Sequence, residues 1–198
     1  MGLRLFQGGI ILGNLEQAME SGYSMIVIIG KSGSGKTALA KLLETRLKIP
    51  RIKGYTTRPK RDELDDDYEF VKEVKPWSDE EIMCKTEING YNYWKLKCEI
   101  HYWQNQTIIV NPEGLLELYE TDIELVVINL VVDSHTRFIR MKEEYTENGN
   151  DIDTAKFKAG TRLSRDAGFE CLKVDWTVDA NRPIEEVYAD VKKIIEMQ

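Results

Sequence analysis

The first residues whose types and spacing could carry chemistry form the segment Gly30-Lys-Ser-Gly-Ser-Gly-Lys36-Thr37, a full match to the P-loop pattern G-x-x-x-x-G-K-[ST]. The segment follows a short apolar run, Met25 to Ile29, and precedes leucines at helical spacing. A buried strand, a glycine-rich turn and a helix N-terminus are therefore predicted in that order. In this arrangement backbone N–H groups surround a phosphate, the lysine reaches the transferable phosphoryl group and the threonine hydroxyl binds Mg²⁺.

The segment thus predicts ATP and Mg²⁺ as cofactors. A glycine-rich turn with a solvated lysine is the alternative, but the strand before it and the helix after it favour phosphate binding. Thr37 is the predicted metal ligand. The residues predicted to hold ATP are Gly30, Ser32, Gly33, Ser34, Gly35, Lys36 and Thr37.

A second segment resembles the guanylate kinase family. Its sequence is Thr56-Thr-Arg58-Pro-Lys-Arg61, followed by Asp67-Tyr68-Glu-Phe-Val and later by Asn89-Gly-Tyr-Asn-Tyr93. The resemblance implies that two arginines and two tyrosines, at Arg58, Arg61, Tyr68 and Tyr93, hold the monophosphate of the acceptor, GMP in that family. Two guanidinium groups and two phenolic donors can surround one dianionic phosphate, which agrees with this assignment.

The positions that read guanine in the family differ here. Its first serine is replaced by Gly54, and the serine or threonine after the second tyrosine is replaced by Lys95. Its glutamate is replaced by Cys84, with Glu87 as a candidate if the spacing has shifted. A site that loses its hydrogen-bonding groups loses much of its discrimination, so the acceptor could be a monophosphate or deoxymonophosphate of another base.

The strand end that is acidic in the family has also changed, to Ile108-Ile-Val-Asn111. Asn111 could bind an ordered Mg²⁺ water or the acceptor, and it is predicted as a substrate-binding residue. Asp133 follows the next predicted strand, where it could replace the missing carboxylate or cap a helix, and the helix cap is favoured.

Lid arginines complete the predicted site, because kinases of this kind close such residues onto the transferred phosphoryl group. Arg140 and Arg162 match arginines that flank the family lid, whereas Arg137 and Arg165 could equally be surface charges. The residues predicted to carry catalysis are Lys36, Arg58, Arg61, Arg140 and Arg162.

Strands alternating with helices predict an α/β fold, a doubly wound parallel sheet of the P-loop kinase type. Residues 51–103 interrupt this alternation as a mostly β acceptor-binding subregion, with an Asn89-Gly90 turn and a helix that begins at Ser78. Residues 137–166 are predicted as a helical lid. Residues 1–22 are predicted as an extension of unknown role before a single domain, 23–198.

Composition limits the partners. The chain has 27 Lys and Arg against 34 Asp and Glu, a formal charge of −7, which disfavours nucleic acid and anionic membranes as partners. Its three cysteines form no CxxC pair, and no membrane span or export signal is evident, so a cytoplasmic protein with reduced thiols is predicted. The sequence does not predict the oligomeric state.

The predicted function is transfer of the ATP γ-phosphate to a nucleoside monophosphate, with GMP or dGMP as acceptor. The first alternative is a nucleoside monophosphate kinase of different or relaxed base specificity, and a P-loop kinase for another small metabolite is related to it. The second is a non-catalytic guanylate-kinase-like binding module, which the complete P-loop disfavours.

Overall fold

A computed structural model describes residues 24–60, 67–74, 76–101, 104–164, 166, 168–169 and 172–197. The predicted extension 1–22 and two of the predicted arginines, Arg61 and Arg165, lie outside these residues.

Four parallel strands form the central sheet: β1 (Met25–Ile29), β6 (Gln106–Ile109), β7 (Leu125–Val131) and β8 (Trp176–Asp179). Their order across the sheet is β6-β1-β7-β8. Every residue of β1 is apolar and buried, as expected of a strand covered on both faces. The carboxyl end of β1 leads directly into the glycine-rich loop.

Helices cover both faces of this sheet. On one face Leu43 of α1 (Lys36–Leu47) and Val191 of α5 (Ile184–Glu196) belong to the same core as Ile28. On the other face Leu115 of α2 (Pro112–Tyr119) belongs to the same core as Val27. The predicted doubly wound α/β fold is confirmed.

A second sheet contains β2 (Gly54–Thr56), β3 (Tyr68–Phe70), β4 (Ile82–Ile88) and β5 (Tyr91–Leu96), in the order β3-β2-β5-β4. The predicted turn between β4 and β5 is confirmed, with φ of 56° at Asn89 and 78° at Gly90. Two positive φ values are what a two-residue hairpin turn requires. A small core of Ile82, Trp94 and Leu96 supports this sheet.

The helix predicted from Ser78 is wrong. The Ser78 backbone N–H and hydroxyl do bind the Glu81 carboxylate, at 2.9 and 3.0 Å, as in a helix start. From Ile82 onward, however, the chain pairs with β5. Strand pairing therefore limits the local helix signal to one turn.

A helical hairpin of α3 (Ser134–Glu147) and α4 (Ile152–Leu163) covers most of the predicted lid, 137–166. Asp133 caps α3, since its carboxylate accepts the Thr136 N–H at 2.8 Å, so the favoured reading of Asp133 as a cap is confirmed. Nothing in the described part of the chain is a helix long and apolar enough to cross a membrane.

Candidate active site

The glycine-rich loop runs from Gly30 to Thr37, between the end of β1 and the first turn of α1. All three of its glycines have positive φ values, 148° at Gly30, 76° at Gly33 and 92° at Gly35, which other residues rarely adopt. A Cβ atom at Gly30 would lie 2.6 Å from the Leu130 carbonyl oxygen, and one at Gly33 would lie 3.0 Å from that of Arg137. Glycine is therefore needed at both positions for the loop to approach β7 and α3.

The side chain of Lys36 folds back over this loop. Its Nζ donates to the carbonyl oxygens of Gly30 at 2.7 Å and Lys31 at 3.1 Å. Burial, together with the nearby Arg162 guanidinium, lowers the pKa of Lys36 from 10.5 to about 8, and the Asp166 carboxylate partly opposes this shift. A buried ammonium beside another cation favours an anionic ligand.

The loop residues that line the cavity fit a phosphate. Gly30, Gly33, Gly35 and Lys36 all line it, so backbone N–H groups of the glycine-rich turn and the Lys36 ammonium can contact an anion there. Ser34 is 1% exposed and does not line the cavity. The phosphates of ATP therefore fit the residues present.

For a magnesium ion the chain offers the hydroxyl of Thr37, in the first turn of α1. No group of three or more His, Cys, Asp and Glu side chains among the described residues could hold a metal. The remaining ligands of Mg²⁺ would therefore be phosphate oxygens and water, as is usual for this ion.

Arg137 and Asp166 meet at the glycine-rich loop, although the sequence analysis did not predict this pair. The Asp166 carboxylate accepts the Ser32 backbone N–H at 3.1 and 3.2 Å and pairs with Arg137. Arg137 also donates to the Ser32 carbonyl oxygen at 3.3 Å. The side chains of Arg137 and Asp166 are only 5% and 11% exposed, so Arg137 is not the surface charge that the sequence allowed. In the sequence, the burial of Arg137 is indicated by its position four residues before Met141, on the same face of the helix. No sequence motif indicates a role for Asp166.

The two predicted lid arginines line the same cavity from different helices. Arg140 donates to the carbonyl oxygens of Ala180 at 2.9 Å and Arg182 at 3.3 Å. Arg162 pairs with the Glu144 carboxylate at 3.1 Å. Burial by itself would lower the pKa of Arg162, but the interactions with Glu144 and Tyr145 together outweigh burial and raise that pKa. Both arginines are held by partners within the protein.

On the acceptor side the structure brings together three of the four predicted phosphate-binding residues. The rings of Tyr68 and Tyr93 lie edge to face, with centroids 5.5 Å apart, and both line the cavity. The Arg58 guanidinium is 5.4 Å from the Tyr68 ring centroid and 4.9 Å from that of Phe70. Arg58 is 7% exposed and is not a lining residue of the described cavity. Arg61 lies outside the described residues.

A single cavity of about 1270 Å³ extends from the glycine-rich loop to the tyrosines. Lys36, Thr37 and Arg162 line it together with Tyr68 and Tyr93, and Thr37 also lines a smaller adjoining pocket with Tyr68. Its size is more than a small ligand needs. The cavity is therefore large enough for two nucleotide-sized ligands, with the glycine-rich loop and the two tyrosines in its wall.

The positions that correspond to the guanine-reading residues line the acceptor end. At Gly54 a Cβ atom would lie 2.9 Å from the Tyr68 ring, so a serine there would displace that ring. Cys84 is buried, and its thiol lies 3.6 Å from the Gly114 carbonyl oxygen. Lys95 is buried in β5, whereas Glu87 lies at the exposed end of β4.

Asn111 has a structural partner. Its side-chain oxygen accepts the Gly114 N–H at 2.9 Å and caps α2. The residue also lines the cavity, beside Ile109 and Glu113. Its role in substrate binding stays a prediction, as do the catalytic roles of the lysine and the arginines.

The comparisons with known proteins agree with this geometry. A protein-family model described as AAA domain matches residues 26–166. Among solved structures, a guanylate kinase from Anaplasma phagocytophilum is 19% identical with a TM-score of 0.54, and the match covers 88% of this chain and 85% of that chain. No curated protein matches the chain. The resemblance seen in the sequence is thus confirmed at the level of the fold.

Proposed function

Because the chain belongs to the AAA domain family, we propose from this premise that it is an ATP-dependent nucleoside monophosphate kinase with GMP or dGMP as candidate acceptors. The observation that carries the proposal is the cavity, which joins the Lys36 end of the loop to the Tyr68 and Tyr93 pair. The guanylate kinase that shares the fold supports the same reaction class.

In this reaction the chain binds and aligns two phosphates. The amides that follow Gly30, with Lys36, hold the donor phosphates, and the Tyr68 and Tyr93 hydroxyls orient the acceptor phosphate. Lys36 and Arg162 stabilise the negative charge that spreads over the transferred group. Bound ATP would supply the phosphoryl group and Mg²⁺ would offset charge on its oxygens.

The separation of donor and acceptor phosphates gives each predicted subregion a proposed role. Residues 51–103 would bind the acceptor, and residues 137–166 would act as a lid that carries Arg140 and Arg162 and excludes water. The departures at Gly54 and Lys95 favour the alternative of altered base specificity, because neither residue reproduces a serine hydroxyl.

The test is ADP release from ATP and Mg²⁺ across the common ribo- and deoxyribonucleoside monophosphates. We expect acceptor-dependent turnover, with a preference for GMP below roughly 10⁴-fold over every other base, because Gly54 and Lys95 replace hydroxyl-bearing residues with which the family reads guanine. Lys36→Ala should be inactive, and the exposed Lys193→Ala is its control. ATP binding without turnover on any monophosphate would instead support the non-catalytic module.

A further inference from the structure

Lys95 is a buried lysine in the wall of the acceptor end. It lies in β5 and is 7% exposed, and its Nζ donates to the Ile52 carbonyl oxygen at 3.2 Å. This is the one hydrogen bond of that ammonium within the described residues, where no carboxylate lies within ion-pair distance. An ammonium has three donors, so two remain for a ligand.

The burial of this ammonium is unfavourable for folding. Burial lowers the pKa of Lys95 from 10.5 to about 8, and the nearby Glu99 carboxylate opposes this shift whereas Arg51 adds to it. Burial also raises the pKa of the Cys84 thiol to about 12, so Cys84 brings no negative charge at neutral pH. An apolar side chain would cost less at this position, which argues for a role in ligand binding.

Lys95 lies one strand repeat away from the proposed phosphate clamp. Tyr93 and Lys95 are two residues apart in β5 and therefore face the same side of the sheet, about 7 Å apart along the strand. Tyr93 lies beside Tyr68 at the proposed phosphate clamp. Trp94, between them, points into the small core on the opposite side.

We propose that Lys95 reads the base of the acceptor by donating a hydrogen bond to a carbonyl oxygen, so that carbonyl-bearing bases are accepted and adenine is rejected. The inference rests on the proposed function. An ammonium can only donate, and adenine is the common base without a carbonyl group. Its exocyclic amine would meet the donors of Lys95 with another donor.

One neutral donor of β4 agrees with this preference. Thr86 lines the cavity, and its hydroxyl can donate a hydrogen bond. The Cys84 thiol also lies in the lining but is directed to the Gly114 carbonyl oxygen, and Glu87 is exposed farther along the same strand. Lys95 is therefore the charged donor that this inference invokes.

The test compares the kcat/KM values of IMP and AMP, which differ at position 6 of the purine, together with those of GMP, UMP and CMP. In the wild type we expect AMP to be the poorest acceptor. Lys95→Met should lower kcat/KM for the preferred carbonyl-bearing acceptor by about 10-fold to 100-fold, the effect of one charged hydrogen bond. The KM for ATP should not change. Lys97→Met, at an exposed lysine just beyond β5, is the matched control.

Two further measurements separate this inference from the proposed function and from a structural role. Calorimetric binding of IMP, AMP, GMP and UMP without ATP reads the base preference even if no turnover occurs. If monophosphates with a carbonyl group bind without turnover, and Lys95→Met abolishes this binding, the role of Lys95 in base recognition is supported. The same result contradicts the proposal that the protein is a kinase. A wild-type preference for AMP would overturn the inference. It would also be overturned if Lys95→Met lowered binding or kcat/KM equally for every base, or if no monophosphate bound to the wild type.

Discussion

The two ends of the cavity are built in different ways. At the loop end the charged groups already have partners within the protein: Lys36 binds backbone carbonyl oxygens, Arg137 pairs with Asp166, and Arg162 pairs with Glu144. At the acceptor end, strand pairing and aromatic packing set the positions, while Lys95 has a single hydrogen bond within the described residues. A ligand at the loop end must therefore compete with internal partners, whereas the acceptor end presents donors that are already placed.

The largest expected effect lies at the loop end. Lys36→Ala should lower turnover by about 10³-fold or more, because it removes the cation beside the transferred group. The fold should remain, since a buried ammonium is lost rather than an apolar contact. Steady-state kinetics with a thermal melt would measure both, and Lys193→Ala should behave as the wild type. Normal turnover in a folded Lys36→Ala variant would contradict the assignment.

The acceptor end should respond to loss of its arginines selectively. Arg58→Ala, like Arg61→Ala, should lower kcat/KM for the monophosphate by about 10-fold to 100-fold, as expected for one charged hydrogen bond, with the KM for ATP within about twofold. Lys53→Ala, at an exposed lysine paired with Glu69, is the control. Equal losses for both substrates would show that Arg58 only supports the rings of Tyr68 and Phe70.

Asp166→Asn tests whether phosphates compete with an internal anion. The substitution removes a negative charge from the Ser32 N–H, so the Kd for ATP or pyrophosphate should fall by about tenfold, the size of a partly screened charge interaction. The unliganded protein should lose stability, because Arg137 is left buried without its partner. Titration calorimetry and thermal melts would measure both effects. Weaker binding would indicate instead that Asp166 holds the loop in its binding conformation.

The last prediction concerns the free energy of unfolding, which Lys95 at the acceptor end should make dependent on pH. The pKa of Lys95 in the folded protein, about 8, lies below the ordinary value of 10.5, so the folded state binds fewer protons between these values. Stability from this group therefore rises with pH across that window. Lys95→Met should be more stable than the wild type by up to about 3 kcal/mol below pH 8, and the difference should shrink toward pH 10.5. Urea unfolding at pH 7 and pH 10 measures it, and a difference that does not change with pH would contradict the burial of a charged lysine.

The sequence by itself determined the parts whose physics is local. The apolar run of β1, the glycines at 30 and 33 and the start of α1 lie within about a dozen residues, so backbone preference and hydrophobic pattern suffice to predict the loop. The hairpin turn at Asn89-Gly90 and the cap at Asp133 are local in the same sense. Alternating strands and helices were enough for the fold class.

Only the tertiary structure decided which distant groups meet. Arg137 and Asp166 are 29 residues apart and join because the hairpin of α3 and α4 folds back on the loop. Lys95 reaches Ile52, 43 residues away, because β5 pairs with β2. The Ser78 turn stops before becoming a helix for the same reason, since pairing of β4 with β5 outweighs a local capping signal. Such contacts depend on chain packing between remote segments, which no short sequence pattern encodes.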